Sequence, residues 1–194
     1  MKIFNVGNKE INLYLLDNKK YRLLIDAGFS GQLNEIGRAM RKTGYKIWEI
    51  DFLLVTHFHV DHAGEVQALK NQGIKFLIID TQPMFIEPME KLIRSKWLNY
   101  TPLNRSDNIE VTCSGSRDLL KQININGEII STPGHSDDSI SLLLDSGETF
   151  TGDLPAEYLV LDKHTKAAQS WTVLKKKGAK IIYPAHGNKY EVHN

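Results

Sequence analysis

Residues 51–64 read DFLLVTHFHVDHAG and place His57, His59, Asp61 and His62 within six consecutive positions, directly behind an apolar run. No single regular element can aim all four side chains at one point. A strand would put His57, His59 and Asp61 on one face and turn His62 away. A helix would pair His57 with Asp61 and His59 with His62, on different faces. A loop that turns after a strand could gather them, or divide them between two neighbouring centres. DFLLVT is apolar over strand length, as a strand buried on both faces would be. Ala63-Gly64 offers a tight turn, and residues 63–72 have helical spacing with Val66 and Leu69 inward.

Three other segments repeat this arrangement. EIIS is followed by Thr132-Pro133-Gly134-His135, ETFT by Gly152-Asp153, and KIIY by Pro184-Ala185-His186-Gly187. Loops at one edge of layered sheets are where sites assemble, because the scaffold fixes their positions. Five of the seven histidines, His57, His59, His62, His135 and His186, belong to this set together with Asp61 and Asp153. His164 opens a helix and His193 lies in the tail, so both are expected in solvent.

The remaining elements follow from periodicity and turn signals. Residues 2–6, 11–17 and 21–26 read as strands, and 32–44 as a helix with Leu33, Ile36 and Met40 in register and Gly44 as its stop. Residues 75–80, 128–132, 139–145, 148–152 and 180–184 are further strands. Residues 84–98 and 165–177 have helical spacing, the latter ended by Gly178. Nothing divides the chain, so a single domain over 1–194 is expected, with sheets covered by helices.

Lys+Arg 24 against Asp+Glu 23 leaves a net charge of +1, which gives no reason to expect nucleic acid or a membrane surface as partner. The run Lys175-Lys176-Lys177 ends the predicted helix, where cations complement the macrodipole. Cys113 is the only cysteine, which excludes an intrachain disulfide and suits a reducing compartment. Following the strand-like IEVT, it reads as a small buried hydrophobe. The N-terminus has no apolar signal core, and no run approaches the ~20 residues that span a bilayer. A cytoplasmic location is expected.

Imidazole and carboxylate without thiolate suit Zn²⁺, and also Fe or Mn. Seven ligands exceed one tetrahedral ion and suit two ions that share a carboxylate. With these residues in hand, the chain resembles the metallo-β-lactamase superfamily, through H-x-H-x-D-H at 57–62, His135 in TPGHS, Asp153 in FTGD, His186 in PAHG, and LLIDAG ending at Gly28. The resemblance implies an α+β fold, an αββα sandwich of two mixed β-sheets with helices on the outer faces and metals at one edge. It implies that His57, His59 and His135 hold one metal, that Asp61, His62 and His186 hold the other, and that Asp153 bridges them. Asp26 would orient a ligand imidazole by hydrogen bond.

The activity so implied is that of a zinc-dependent dinuclear hydrolase whose metal-bridging hydroxide attacks a small ester, lactone or thioester. The metals would lower the pKa of water from ~15.7 towards ~7, and Asp61 would both ligate and hold the hydroxide's proton. The same cage permits an iron-dependent redox enzyme similar to persulfide dioxygenases, or a phosphodiesterase. A purely structural metal module fits poorly, since structural zinc takes four ligands and no open position.

His186 stands eight positions before Asn194, so the helical recognition domain of glyoxalase II relatives is not expected, nor is the insertion or RNA-binding arm of the nuclease branches. Contacts to a small-molecule substrate then fall to residues 29–32, 81–108 and 154–163. The middle interval, with Met84, Phe85, Met89, Trp97 and Tyr100, reads first as helix core, and otherwise as an apolar lid or a homodimer surface. Tyr158, five residues after Asp153, reads first as an exposed loop tyrosine and otherwise as a donor to a substrate carbonyl, as in lactonases of similar fold.

Overall fold

The strands that read as apolar throughout divide their side chains between two different cores. The computed structural model describes residues 1–96 and 100–192. In chain order the elements are β1 (Lys2–Asn5), β2 (Tyr14–Asp17), β3 (Arg22–Ile25), α1 (Leu33–Lys42), β4 (Phe52–Leu54), α2 (Val60–Ala63), α3 (Val66–Lys70), β5 (Lys75–Ile79) and α4 (Pro83–Lys96). The second half runs β6 (Ile109–Val111), α5 (Ser116–Gln122), β7 (Gly127–Ser131), β8 (Ile140–Leu144), β9 (Glu148–Gly152), α6 (Lys166–Lys176), β10 (Ile181–Pro184) and β11 (Tyr190–Glu191).

These strands form a six-stranded sheet, β1-β2-β3-β4-β5-β6, and a five-stranded sheet, β11-β10-β9-β8-β7. Both sheets are mixed. In the first, β1, β2 and β3 are antiparallel and the β3-β4-β5-β6 portion is parallel. In the second, only β9 and β10 run parallel.

Period-two alternation explains the sandwich. Leu16, Leu23, Ile25, Phe52, Leu54, Leu77 and Ile79 meet Ile129, Ile140, Leu142 and Phe150 between the sheets. The alternate residues Leu15, Leu24, Leu53, Val55, Phe76 and Ile78 face outward, under Ile36 and Met40 of α1, Val66 and Leu69 of α3, and Ile86, Met89 and Ile93 of α4. On the other side Ile130, Leu143 and Ile182 lie under Trp171 and Leu174 of α6. Each fully buried Leu or Ile contributes roughly 1.5–3 kcal/mol of transfer free energy. The expected four-layer α+β architecture is therefore present.

Several boundaries differ from expectation. The strand read over 11–17 begins only at Tyr14, because the backbone before it pairs elsewhere: Val6 N–H donates to Leu13 O and Asn12 N–H to Ala185 O. The helix read over 63–72 is two pieces, and the first starts at Val60, inside the histidine-rich stretch. Helix α5 lacks a long apolar stripe. It is held instead by Ser116, whose Oγ donates to Cys113 O and accepts from Ile129 N–H. Cys113 is half-buried against the inter-sheet core. Among the described residues, no helix is long and apolar enough to cross a membrane. Trp97 and His193 lie outside the described residues; His164 is exposed.

Candidate metal centre

The four strand-end turns meet at one edge of the sandwich. After β4 the chain bends at Thr56 and His57, and His59 (φ −98°, ψ 162°) precedes the helical turn α2. His57 projects from the bend and His59 from the residue before the helix, while Asp61 and His62 project from the helical turn. The turn is anchored by Ala63 N–H to His59 O at 2.9 Å and by Ala27 N–H to His62 O at 2.7 Å. Gly64 is required beside it, since a Cβ there would lie 2.4 Å from Ser30 N and 2.7 Å from Gly28 O.

Two groups result. His57, His59 and His135 can bring one ligand atom each to within 4.8 Å of one another, and so can Asp61, His62, Asp153 and His186. Asp153 faces both groups. Its Oδ2 lies 3.4 Å from His135 Nε2 and 4.0 Å from His57 Nε2. Its Oδ1 lies 3.3 Å from His62 Nε2 and 3.3 Å from His186 Nε2. Asp61 Oδ2 closes the second group at 3.2 Å from His186 Nε2 and 3.5 Å from His62 Nε2. Gly152 (φ +55°) makes the placement of Asp153 possible, because any Cβ there would sit 2.5 Å from Thr56 Oγ1.

Buried polar atoms normally have partners. His57 Nε2, His62 Nε2 and Asp153 Oδ1 are buried, face into the cluster and make no hydrogen bond. Cations coordinated by these atoms would resolve all three, so the donor set fits metal ions of the borderline class.

The other ring nitrogens are held from behind. His62 Nδ1 lies 3.0 Å from Asp26 Oδ2, and His186 Nδ1 donates to Glu10 O at 2.7 Å. Asp26 takes the left-handed conformation (φ 64°), which aspartate tolerates better than most residues. Its carboxylate accepts from Thr56 N–H at 2.7 Å and from Thr56 Oγ1 at 3.0 Å, and Thr56 Oγ1 lies 3.2 Å from His57 Nδ1. The geometry is that of an outer shell fixing ring orientation and tautomer.

Electrostatics separates the two buried imidazoles. Burial, then the rings of His62, His59, His135 and His186, holds His57 well below the ordinary histidine value and so in the neutral, ligating form. Burial also opposes protonation of His62, but Asp26 and Asp153 outweigh it and push this pKa up to about 10. The His62 pocket thus favours positive charge. Burial and neighbouring imidazoles likewise lower His135, while His62, His186 and His135 hold the Asp153 carboxyl below its usual range despite burial.

One residue at the site went unmarked in the sequence. Asp138, 1% exposed, accepts from Phe58 N–H at 2.7 Å and from Ser136 Oγ at 2.7 Å, tying the loop of His135 to the backbone between His57 and His59. The only signal was its place in HSDDS, where nothing distinguishes it from Asp137. Similarly, Asn12 Nδ2 and Tyr14 Oη both donate to Pro184 O, at 3.0 and 2.8 Å, bracing the turn that carries His186.

Two clefts flank the cluster. One, of about 350 Å³, is lined by His135, Asp153 and His186 together with Tyr158, Leu159, Asn188 and Tyr190. Tyr158 is strongly exposed there, its ring 5.9 Å from that of Tyr190. The other, about 410 Å³, runs from His59 and Asp61 along Phe58 and Val60 to Phe85, Pro88, Met89 and Leu92 of α4. Part of the 81–108 interval therefore lines a cleft, while Ile86, Met89 and Ile93 also belong to the core.

Comparison with known proteins agrees with this geometry. The model of the metallo-beta-lactamase superfamily matches residues 6–186. A beta-lactamase-like protein 2 homolog of Drosophila melanogaster is 27% identical over 193 residues, covering 93% of this chain and 59% of the fly protein. A probable metallo-hydrolase of Methanocaldococcus jannaschii is 30% identical over 143 residues, covering 73% of this chain and 66% of that protein. The chain thus spans less than two thirds of the length of these relatives. Among solved structures, a metallo-beta-lactamase family protein of Thermus thermophilus superposes with TM-score 0.68 at 18% identity, over 93% of this chain and 70% of that one. The native FEZ-1 metallo-beta-lactamase of Legionella gormanii superposes with TM-score 0.66 at 19% identity, over 95% and 76%. At such identities the structural likeness concerns the fold, and it is the match over residues 6–186 that assigns the family: the chain belongs to the metallo-beta-lactamase superfamily.

Proposed function

We propose that the protein is a hydrolase dependent on two metal ions, zinc in the first instance, acting on a small ester, lactone or thioester. The observation that carries this reading is the Asp153 carboxylate, which turns one oxygen to each of two ligand groups. Members of the superfamily are mostly hydrolases, which supports the same reading. His57, His59 and His135 would hold one ion, and Asp61, His62 and His186 the other. Such ions supply a nucleophile from water near neutral pH and polarise a carbonyl oxygen.

The chain's own groups do the rest. Asp26 and Thr56 orient the rings of His62 and His57, and the Glu10 carbonyl orients His186. Asp61 sits where the α4 cleft meets the second group, a position from which a carboxylate can take and return the proton of an attacking water. Tyr158, which lines the opposite cleft, would donate to a substrate oxygen. The buried floor beneath the cluster, with His57 and His62 both fully buried, would strengthen every charge interaction made there.

The test is a panel of lactones, thioesters, carboxylic esters, phosphodiesters and β-lactams, run on zinc, manganese and iron forms. Asp61→Ala should lower turnover of any accepted ester by about 10²–10⁴-fold with the circular dichroism unchanged. Undiminished turnover in that variant sinks the assignment. Iron retained at purification together with oxygen uptake would instead establish the redox reading.

A further inference from the structure

We infer that the cleft along α4 receives an apolar acyl group, so that the substrate is an acyl ester or thioester with a hydrocarbon chain on its reacting carbonyl; this rests on the hydrolase reading above. The two ends of the cleft differ in chemistry. Its inner end is formed by His59 and Asp61, one from each ligand group, and among the described residues every other side chain that lines it is apolar. A carbonyl placed at the ligands would direct one substituent along the apolar side chains of Phe85, Pro88, Met89 and Leu92.

The surface around the cleft supports the same occupant. Met84, Pro88 and Leu92, four residues apart, share one face of α4. Met84 is 77% exposed and Leu92 46% exposed, although neither is needed for the core, which α4 builds with Ile86, Met89 and Ile93. Apolar side chains left in solvent in a row beside a site mark a binding surface more often than chance. Pro88 is also an unexpected choice inside a helix, since it cannot donate to the Met84 carbonyl. What it contributes is a rigid apolar wall with no N–H to satisfy.

The opposite cleft is unlike this one. Tyr158, Tyr190 and Asn188 bring hydroxyls and an amide to it, beside His135 and His186 and among the apolar Leu154, Leu159 and Pro184. Hydrophilic leaving groups suit that side, whether alcohol or thiol. The two clefts, one reaching His59 and Asp61 and the other His135, Asp153 and His186, therefore assign the two halves of the substrate.

The experiment is a chain-length series on the zinc-loaded full chain: 4-nitrophenyl esters from acetate to decanoate for turnover, and the matching straight-chain carboxylates for binding by calorimetry. A buried methylene is worth about 0.8 kcal/mol, or roughly fourfold. Both kcat/KM and affinity should therefore rise about two- to fourfold per carbon before levelling off where the chain passes Leu92. Leu92→Glu, at an exposed position that does not threaten folding, should flatten both slopes. Val173→Glu, on the remote face of α6, should leave them as they are. Turnover with no chain-length slope in rate or binding overturns the acyl cleft and spares the hydrolase reading. A binding slope without turnover overturns the hydrolase reading and leaves an apolar-ligand cleft, and loss of both overturns both. A slope seen only with alkyl acetates of increasing alcohol length assigns the cleft to the leaving group and overturns the acyl assignment.

Discussion

The two ligand groups stand on one sheet edge and share Asp153, yet they are built differently. The first is three imidazoles, of which only His57 is buried. Its support is light: Thr56 Oγ1 at 3.2 Å from His57, and Asp138 holding the Phe58 amide between the two loop histidines. The second has Asp61 as a carboxylate of its own, and each of its imidazoles is fixed from behind, His62 by Asp26 and His186 by the Glu10 carbonyl. Two carboxylates neutralise a divalent ion where one shared carboxylate does so only partly, and pre-oriented rings lose less entropy on binding. The two groups should accordingly differ in how tightly they hold metal, although they are delivered by one short stretch of chain.

Removing the shared member erases the difference. Asp153→Ala should cost kcat/KM at least about 10³-fold, more than a single misplaced catalytic proton carrier costs at the low end, and should drop metal content below one ion per chain by elemental analysis. Two ions retained in that variant would mean the groups are independent. Stepwise chelation then probes the asymmetry directly: the wild type should release one ion about tenfold more readily, one order of magnitude being about 1.4 kcal/mol. His135→Ala should keep the tighter ion, whereas His186→Ala should lose it. Asp26→Asn acts on the second group alone and should weaken its metal affinity about 10–100-fold, with Asp26→Ala worse because asparagine can still accept the Thr56 amide.

The smallest effect is on the stability of chelator-stripped protein, where the two buried imidazoles should pull in opposite directions. His57 is held below its unfolded value of ~6.5. The unfolded chain therefore binds more protons on that ring, and its contribution is lost as pH falls below ~6.5. His62 is raised to about 10. Its contribution is present in full below ~6.5 and is lost as pH rises through about 10. Thermal melts across that range should show a dome of a few degrees, and Asp26→Asn should flatten the alkaline limb only. An alkaline limb unchanged by that variant would remove Asp26 as its source.

Ligand residues were legible because they follow strands, and a strand that is apolar throughout announces itself. The seven residues singled out are the seven that the structure gathers, and Asp26 lies within hydrogen-bond distance of the His62 ring. The division of VTHFHVDHAG into a post-strand bend and a helical turn was not legible in detail. His59 carries neither glycine nor proline to mark the change, and α2 is a single turn fixed by backbone pairing with Ala27. Asp138 was missed because its partner is a main-chain amide 80 residues away, which leaves no trace in local spacing. Helix α5 was missed because it is seven residues long and its anchor is a buried serine hydroxyl, a residue type that normally argues for a turn.

The bracing of the His186 turn has a consequence for how the chain acquires its site. Pro184 O takes hydrogen bonds from Asn12 and Tyr14, 172 and 170 positions away, and Glu10 O takes one from His186 across 176. The last ligand in the chain is thus set by contacts between the first and last portions of the sequence. Such closures lose their loop entropy before any contact offsets it, which makes them slow steps in folding. On a ribosome the cluster would be unfinished until the segment carrying His186 had emerged, so ion uptake during synthesis would follow assembly of the sandwich rather than guide it.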